Sequence, residues 1–149
     1  MATQAVAAPD SLAIANRLRP VLLHLNRHLR REVHTSGVSP GQLSLLGLID
    51  GNPGIGVAEL ATREGTSMPS VCSHIDRLEA SGLITRRQAE RDRRRVDLAV
   101  TPEGQRVLKA IRSKRTAWLS ARLNKLADTD LAAVAAAIAP LEALLAQAE

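Results

Sequence analysis

Two short amphipathic segments separated by one glycine constrain the fold of this chain more than any other feature. The first spans residues 57–64 and ends at Gly65, and the second opens on Thr66-Ser67-Met68-Pro69 and runs to about Ser81 before Gly82. A serine followed by proline is typical of a helix start, and a glycine is typical of a helix end. Two short helices joined by a glycine-containing turn predict a helix-turn-helix.

The second of these helices has one apolar side and one polar side. Val71, Ile75 and Leu78 recur at i, i+4 and i+7 and therefore face inward together. The polar side carries small hydroxyls, a histidine and an arginine, which can reach base edges or phosphates in a major groove. For this helix taken alone, a polar face that is simply exposed to solvent is an equal alternative. Its position after the turn and before a basic hairpin favours a DNA-binding face. The candidate recognition residues are Ser67, Pro69, Ser70, Ser73, His74 and Arg77.

Residues 83–89 and 95–101 predict two strands joined by a strongly basic tip. In the second strand apolar side chains alternate with polar or small ones, which gives one buried face. Arginines at a hairpin tip suit the negative potential of a narrow minor groove. Asp92 can pair with Arg94 and fix the direction of its guanidinium, although an ordinary exposed ion pair is the alternative. The candidate wing residues are Arg91, Asp92, Arg93, Arg94 and Arg95.

Longer helices are predicted on both sides of this unit. The first runs from Ser11 to about Val33, with Pro20 producing a kink or a late start. The sequence Ser39-Pro40-Gly41-Gln42 starts the next helix with a capping box. Thr101 and Asp128 are predicted to cap two C-terminal helices. The apolar stripes of the two outermost helices exceed what a small winged domain can cover alone, which indicates a homodimer.

The composition narrows the class of partner. The chain has 149 residues, of which 45% are hydrophobic and 23% charged, as expected of one globular domain. Its net charge of +5 favours an anionic partner, nucleic acid first. Only 1% of the residues are aromatic, which argues against stacking on single-stranded nucleic acid. We expect a cytoplasmic protein without membrane association, since neither a signal peptide nor a bilayer-length apolar run is apparent.

The stretch SMPSVCSHIDRLEASGLITRRQAERDRRRVDLAVTPEG, residues 67–104, resembles the DNA-binding core of the MarR family of bacterial transcription regulators. The family pattern Leu-Glu-x-x-Gly-Leu-Ile is matched by residues 78–84, and the wing pattern Asp-x-Arg is matched by Asp92 and Arg94. The pattern Leu-Thr-x-x-Gly is approximated by Val100-Thr101 and Gly104, with valine in place of leucine. The outer helices fit the family by position and length.

The resemblance implies a mainly α fold with a small antiparallel β-wing, a winged helix-turn-helix with N- and C-terminal dimerisation helices. It divides the chain into a flexible tail at 1–10 and a single domain at 11–149. Within that domain, 11–34 and 102–149 are dimerisation helices, and 39–101 is the DNA-binding lobe.

The implied function is that of a sequence-specific regulator of transcription and not an enzyme. By analogy with the family, a homodimer binds double-stranded DNA with its recognition helices in the major groove, while Arg94 enters the minor groove and Asp92 holds it. Two-fold symmetry predicts a palindromic operator with half-sites about 34–36 Å apart, or a multiple of that. Ligand-responsive repression is the expected mode of action.

The resemblance also bears on ligands. Members of the family often bind small aromatic acids between the dimer helices and the DNA-binding lobe. Trp118 is therefore a candidate pocket residue, and a phenolic or other aromatic acid is a candidate inducer. We expect no other cofactor and no metal. His24 and His28 lie one helical turn apart and could share a metal, so metal sensing is an alternative. Because they lack a further ligand at suitable spacing, they are expected to be polar positions beside an apolar stripe.

Cys72 supports an alternative from another class. A thiol on the recognition helix could act as a redox switch, or as the nucleophile of an enzyme that acts on DNA. Such a nucleophile needs an activating base, and His74, two residues away on a helix, points in a different direction. Cys72 adjoins the apolar side, so we expect it to behave as a small, buried, inert hydrophobe.

Overall fold

The mainly helical architecture with a small antiparallel sheet is confirmed. A computed structural model describes residues 10–31, 37–88 and 96–147. In chain order the elements of these segments are α1 Ser11–Arg31, α2 Pro40–Gly51, α3 Val57–Glu64, α4 Met68–Ala80, β1 Ile84–Gln88, β2 Val96–Val100, α5 Pro102–Leu123 and α6 Asp128–Ala146.

The starts of α2 and α5 follow local capping chemistry. Ser39 Oγ accepts a hydrogen bond from the Gln42 amide at 3.2 Å, and Gln42 Oε1 accepts one from the Ser39 amide at 2.8 Å. Thr101 Oγ1 accepts from the Gly104 amide at 3.1 Å and so caps α5. The prediction that Asp128 caps the last helix is wrong, because Ala127 is the N-cap and Asp128 is the first helical residue. A carboxylate in the first turn still interacts favourably with the helix dipole.

The two strands pair in register around a central leucine. Antiparallel pairing runs from Ile84 opposite Val100 to Gln88 opposite Val96, with Arg86 opposite Leu98. Leu98 and Ile84 are buried and Val100 is half-buried, but Val96 is 42% exposed, so the predicted buried face of the second strand does not extend to its first residue. The connecting residues 89–95 lie outside the described residues, and so do the wing predictions made for them.

The hydrophobic core is aliphatic and lies in the middle of the chain. Its most buried members, each 0–1% exposed, come from α2, α3, α4 and the hairpin: Leu45, Leu46, Ile49, Leu60, Val71, Ile75, Leu78, Ile84 and Leu98. Burying one such side chain contributes about 1.5–3 kcal/mol. Leu108 and Ile111 of α5 belong to the same core, so the core continues past residue 101, where the predicted lobe ended.

The first and last helices contribute nothing to this core. Neither α1 nor α6 contains a buried residue. One continuous α1 includes Pro20, so the alternative of a late helix start is wrong. A hydrogen bond of 3.2 Å from Arg115 Nε to the carbonyl of Leu29 joins α5 to α1. The uncovered apolar stripes predicted for the outermost helices are therefore confirmed within a single chain.

Candidate nucleic-acid interface

The surface formed by α4 is positioned by the turn that precedes it. Gly65 ends α3 in the left-handed conformation at φ +61°, a conformation that favours glycine. The Thr66 amide then donates to the carbonyl of Ala61 at 3.2 Å, which closes the turn. Val71, Ile75 and Leu78 are 0–1% exposed and fix α4 on the core, so its opposite side is held outward on a rigid support.

The predicted recognition residues do not all share that outward side. Ser67, Pro69, Ser73 and Arg77 are exposed, whereas Ser70 is half-buried. Ser67 is the N-cap residue of α4, yet its side chain makes no capping hydrogen bond. The exposed Ser73 and Arg77, four residues apart on one side of the helix, are the pair best placed to reach a groove.

His74 differs from Ser73 and Arg77, because its ring packs against another helix of the protein. A Cβ built on Gly41 would lie 3.0 Å from His74 Nε2, so the ring packs against the first turn of α2. Its Nδ1 is buried and makes no hydrogen bond within the described residues. The residue therefore contributes to the packing between α2 and α4, and the expectation that His74 contacts bases stays a prediction. The sequence could not reveal this, because the contact joins residues 33 positions apart.

Cys72 is more exposed than the sequence predicts. Its side chain is exposed, so the prediction that it is buried is wrong. The reason is helical geometry. Cys72 follows the buried Val71 by one residue, which is about 100° of rotation, and this turns it out of the core.

Arg86 supports α4 from the hairpin, and sequence reasoning did not single it out. Its guanidinium contacts Asp76 Oδ1 at 2.5 Å and Glu79 Oε2 at 3.1 Å. The hydrogen bond that Arg86 donates to Asp76 raises the pKa of Arg86, and the charge of Glu79 adds to the effect. These contacts pair one guanidinium with two carboxylates of α4 and join the base of the hairpin to the helix. The sequence pattern does not reveal this pairing, because Arg86 lies on β1 and both carboxylates lie on α4.

A second feature is a cavity of about 340 Å³ between α1, α2 and α5. Three arginines, Arg30, Arg112 and Arg115, line it together with aliphatic side chains, and its described lining contains no carboxylate. Burial lowers the pKa of Arg115, and the charge of nearby Arg30 lowers it further. Asp50 contacts Arg112 at 3.4 Å from outside the lining and also accepts a hydrogen bond from Gln105.

Trp118 is not among the residues that line this cavity. Its ring stacks on His28 with ring centroids 5.5 Å apart, and the Arg122 guanidinium lies 3.5 Å from the indole centroid. Trp118 therefore belongs to a contact between α1 and α5, and its proposed role in ligand binding stays a prediction.

The outermost helices present large apolar surfaces. On α1 the exposed residues include Leu12, Val21 and Leu23, at 59–68% exposure. On α6 the exposed set comprises Leu131, Val134, Ile138, Leu144 and Leu145. By length and composition α6 also meets the requirement for a membrane span, with a mean hydropathy of 1.6, which is weak support for one because other apolar helices pass the same test. Large exposed apolar side chains in this number on one helix mark an interaction site.

Comparisons with known proteins agree with this geometry. A sequence model of the MarR family matches residues 38–96. A putative transcriptional regulatory protein for the hcr operon of Thauera aromatica is 38% identical over 77 residues, which are 52% of this chain and 46% of that protein. An uncharacterised HTH-type transcriptional regulator of Mycobacterium bovis is 33% identical over 113 residues, covering 76% of this chain and 79% of that protein. The crystal structure of a putative transcriptional regulator from Pseudomonas aeruginosa superposes with a TM-score of 0.76 at 32% identity, covering 93% and 99% of the two chains.

Proposed function

Because this chain belongs to the MarR family of transcriptional regulators, we propose that it binds a palindromic double-stranded operator as a homodimer and represses transcription until a small ligand releases it. The observation that carries the proposal is the exposed face of α4. Ser73 and Arg77 point outward from a helix whose other face is sealed into the core. An arginine on such a helix can donate two hydrogen bonds to a guanine edge in the major groove.

The homodimer is supported by the two helices that the single chain leaves uncovered. A second copy supplies the same apolar surface in return, because a two-fold interface is self-complementary. In the proposed dimer the second copy covers the apolar surface of α6, so a membrane is not required to cover it. We propose accordingly that the protein acts in the cytoplasm, where its DNA partner is found.

The symmetry of a dimer then defines the operator. Two α4 helices related by a two-fold axis enter major grooves one helical turn apart, or a multiple of it. The hairpins flank them, and Arg94 in each tip is proposed to enter the adjacent minor groove while Asp92 orients it. A dimer seated across a promoter in this way excludes the polymerase, which is the basis of the proposed repression.

Replacing Arg77 with alanine is expected to relax base preference at one position of each half-site by about 1–3 kcal/mol. The operator is first located by footprinting on the DNA upstream of the protein's own gene. Binding of wild-type and Arg77→Ala protein is then measured by fluorescence anisotropy on duplexes that carry each base in turn.

The matched control is Arg106→Ala, which removes an arginine that is exposed on α5 and pairs with Glu103 at 2.6 Å. It is expected to leave base preference unchanged. If Arg77→Ala discriminates among the duplexes as the wild type does, α4 does not read the operator through Arg77. If the wild type binds its upstream DNA no better than unrelated DNA, the proposed function is wrong.

The proposed inducer is a small aromatic acid bound in the cavity between α1, α2 and α5. The cavity volume is within the range of ligand sites, and its aliphatic lining suits an aromatic ring. Its three arginines can receive a carboxylate, which forms strong, charge-assisted hydrogen bonds with guanidinium. Arg112 also contacts Asp50 on α2, so an acid that recruits Arg112 would loosen a contact between α5 and the DNA-binding lobe.

A hydroxybenzoate is expected to dissociate the protein from its operator. The matching hydroxybenzamide has the same ring and no charge, and it is expected to leave the complex intact. Arg112→Gln is expected to raise the hydroxybenzoate concentration required for half-release by about tenfold or more, since a charged hydrogen bond contributes about 1.5–3 kcal/mol. The titrations are followed by anisotropy of labelled operator, with Arg106→Gln as the control. Equal release by the acid and the amide would refute recognition of a carboxylate.

The alternative of an enzyme or redox sensor based on Cys72 has less support. The thiol is exposed, but His74, the nearest candidate base in sequence, is engaged against Gly41. A cysteine nucleophile depends on a base held in place beside it. We therefore propose a regulator without enzymatic activity.

A further inference from the structure

The two histidines of α1 lie closer together than their spacing in sequence requires. His24 Nε2 and His28 Nε2 are 3.0 Å apart, whereas the ring centroids are 4.8 Å apart. The difference means that both rings turn their Nε2 atoms toward each other. The ring planes are 29° apart, so the rings are nearly parallel, and one Nε2 donates a hydrogen bond to the other at this distance.

We propose that His24 and His28 form a binding site for a divalent transition-metal ion at the junction of α1 and α5. Imidazole nitrogens bind such ions at about 2.1 Å, so two ligands at right angles lie about 3.0 Å apart and two tetrahedral ligands about 3.4 Å apart. The observed separation matches the right-angled pair. Square or octahedral coordination of this kind is preferred by Cu²⁺ and Ni²⁺ rather than by Zn²⁺.

The electrostatic surroundings of the pair favour the ion that imidazole binds most tightly. Arg27, Arg31 and Arg122 lie near His28 and repel a cation. This repulsion leaves Cu²⁺, the ion of highest intrinsic affinity, as the expected occupant.

The site has two protein ligands in one chain. Within the described residues 10–31, 37–88 and 96–147, no group of three or more His, Cys, Asp or Glu side chains could hold a metal ion. The remaining coordination positions are accordingly assigned to water. Two imidazoles on adjacent helical turns still act as a chelate, because the second ligand is already held at a high effective concentration.

The structure supplies its own reporter of binding. Trp118 is the only tryptophan in the chain, and its ring stacks on His28 at a centroid distance of 5.5 Å with 21° between the planes. A paramagnetic Cu²⁺ ion bound by His28 is near enough to quench the fluorescence of this indole. Occupancy of the site can thus be followed without a label.

The test is a titration of the tag-free full chain, without DNA, with Cu²⁺, Ni²⁺ and Zn²⁺, followed by Trp118 fluorescence and isothermal calorimetry. We expect saturable quenching by one Cu²⁺ per protomer, and weaker binding of Ni²⁺ and Zn²⁺. His24→Gln, which leaves the stack of His28 on Trp118 in place, is expected to weaken Cu²⁺ binding by at least about tenfold. The electron paramagnetic resonance spectrum of the copper-loaded protein is expected to show two coordinated imidazole nitrogens.

The control is His74→Asn, which changes the only other histidine among the described residues and is expected to leave Cu²⁺ binding unchanged. Equal affinity of wild type and His24→Gln, or loss of binding only in His74→Asn, would overturn the proposal. A Cu²⁺ spectrum with fewer than two imidazole nitrogens would overturn it as well. Because no DNA is present, these outcomes do not depend on the proposed operator binding.

Discussion

Replacing Gly104 with alanine is expected to lower the free energy of unfolding by about 3 kcal/mol or more. A Cβ at this position would lie 2.6 Å from Val100 Cγ1 and closer still to the carbonyl oxygen of Leu83, well inside van der Waals contact. Neither neighbour can yield easily. The Leu83 oxygen is a backbone atom that accepts a hydrogen bond from the Thr101 amide at 3.0 Å, and Leu83 itself is buried.

The measurement is urea denaturation followed by circular dichroism, at one fixed protomer concentration because dimerisation contributes to stability. The matched control is Gly47→Ala in the interior of α2, where an added Cβ meets nothing within 4 Å. The free energy of unfolding of that control is expected to rise by up to about 1 kcal/mol, since alanine favours a helix more than glycine does. If Gly104→Ala proves as stable as the wild type, the close approach of α5 to the Leu83 backbone is not a constraint on the fold.

Replacing Ile138 with glutamate is expected to convert the dimer to monomers and to weaken operator binding by about 100-fold or more. Ile138 lies on α6 and is 53% exposed in the single chain, and in the proposed dimer a second copy covers it. A carboxylate buried in an apolar interface without a partner costs several kcal/mol. A monomer contacts only one half-site, so it loses the additional affinity that comes from binding two linked half-sites at once.

Light scattering during size-exclusion chromatography reports the oligomeric state, and anisotropy on the operator reports affinity. Ala58→Glu adds the same charge to an exposed position of α3 and is expected to leave the dimer intact. A dimer that persists in Ile138→Glu would show that α6 is not the interface. The apolar surface of α6 would then need another occupant.

The elements of this fold were predictable because their signals are local. The capping box of Ser39 and Gln42, the threonine cap of α5 and the left-handed Gly65 each depend on residues within a few positions of one another. The buried face of α4 follows from the helical period alone. Asp128 was misplaced by one residue because a carboxylate is favourable both as a cap and inside the first turn.

The candidate site was predictable only in part, because a polar side chain can point outward or pack against a neighbour. His74 and Arg77 looked equivalent on the polar side of α4, yet His74 packs against Gly41 while Arg77 is exposed. Arg86 was missed because its partners, Asp76 and Glu79, lie on another element. The wing residues 91–95 lie outside the described residues, so their roles stay predictions.

By itself, the sequence determined which segments form helices and strands, which faces are apolar, and to which family the chain belongs. Those properties follow from periodicity, caps and short motifs, all of which act over a few residues. Only the tertiary structure decided why Gly104 must be glycine, which polar residues of α4 are free, and how three arginines come to line one cavity. Each of these depends on groups that are distant along the chain and meet only when the elements pack, and no local pattern encodes such distances.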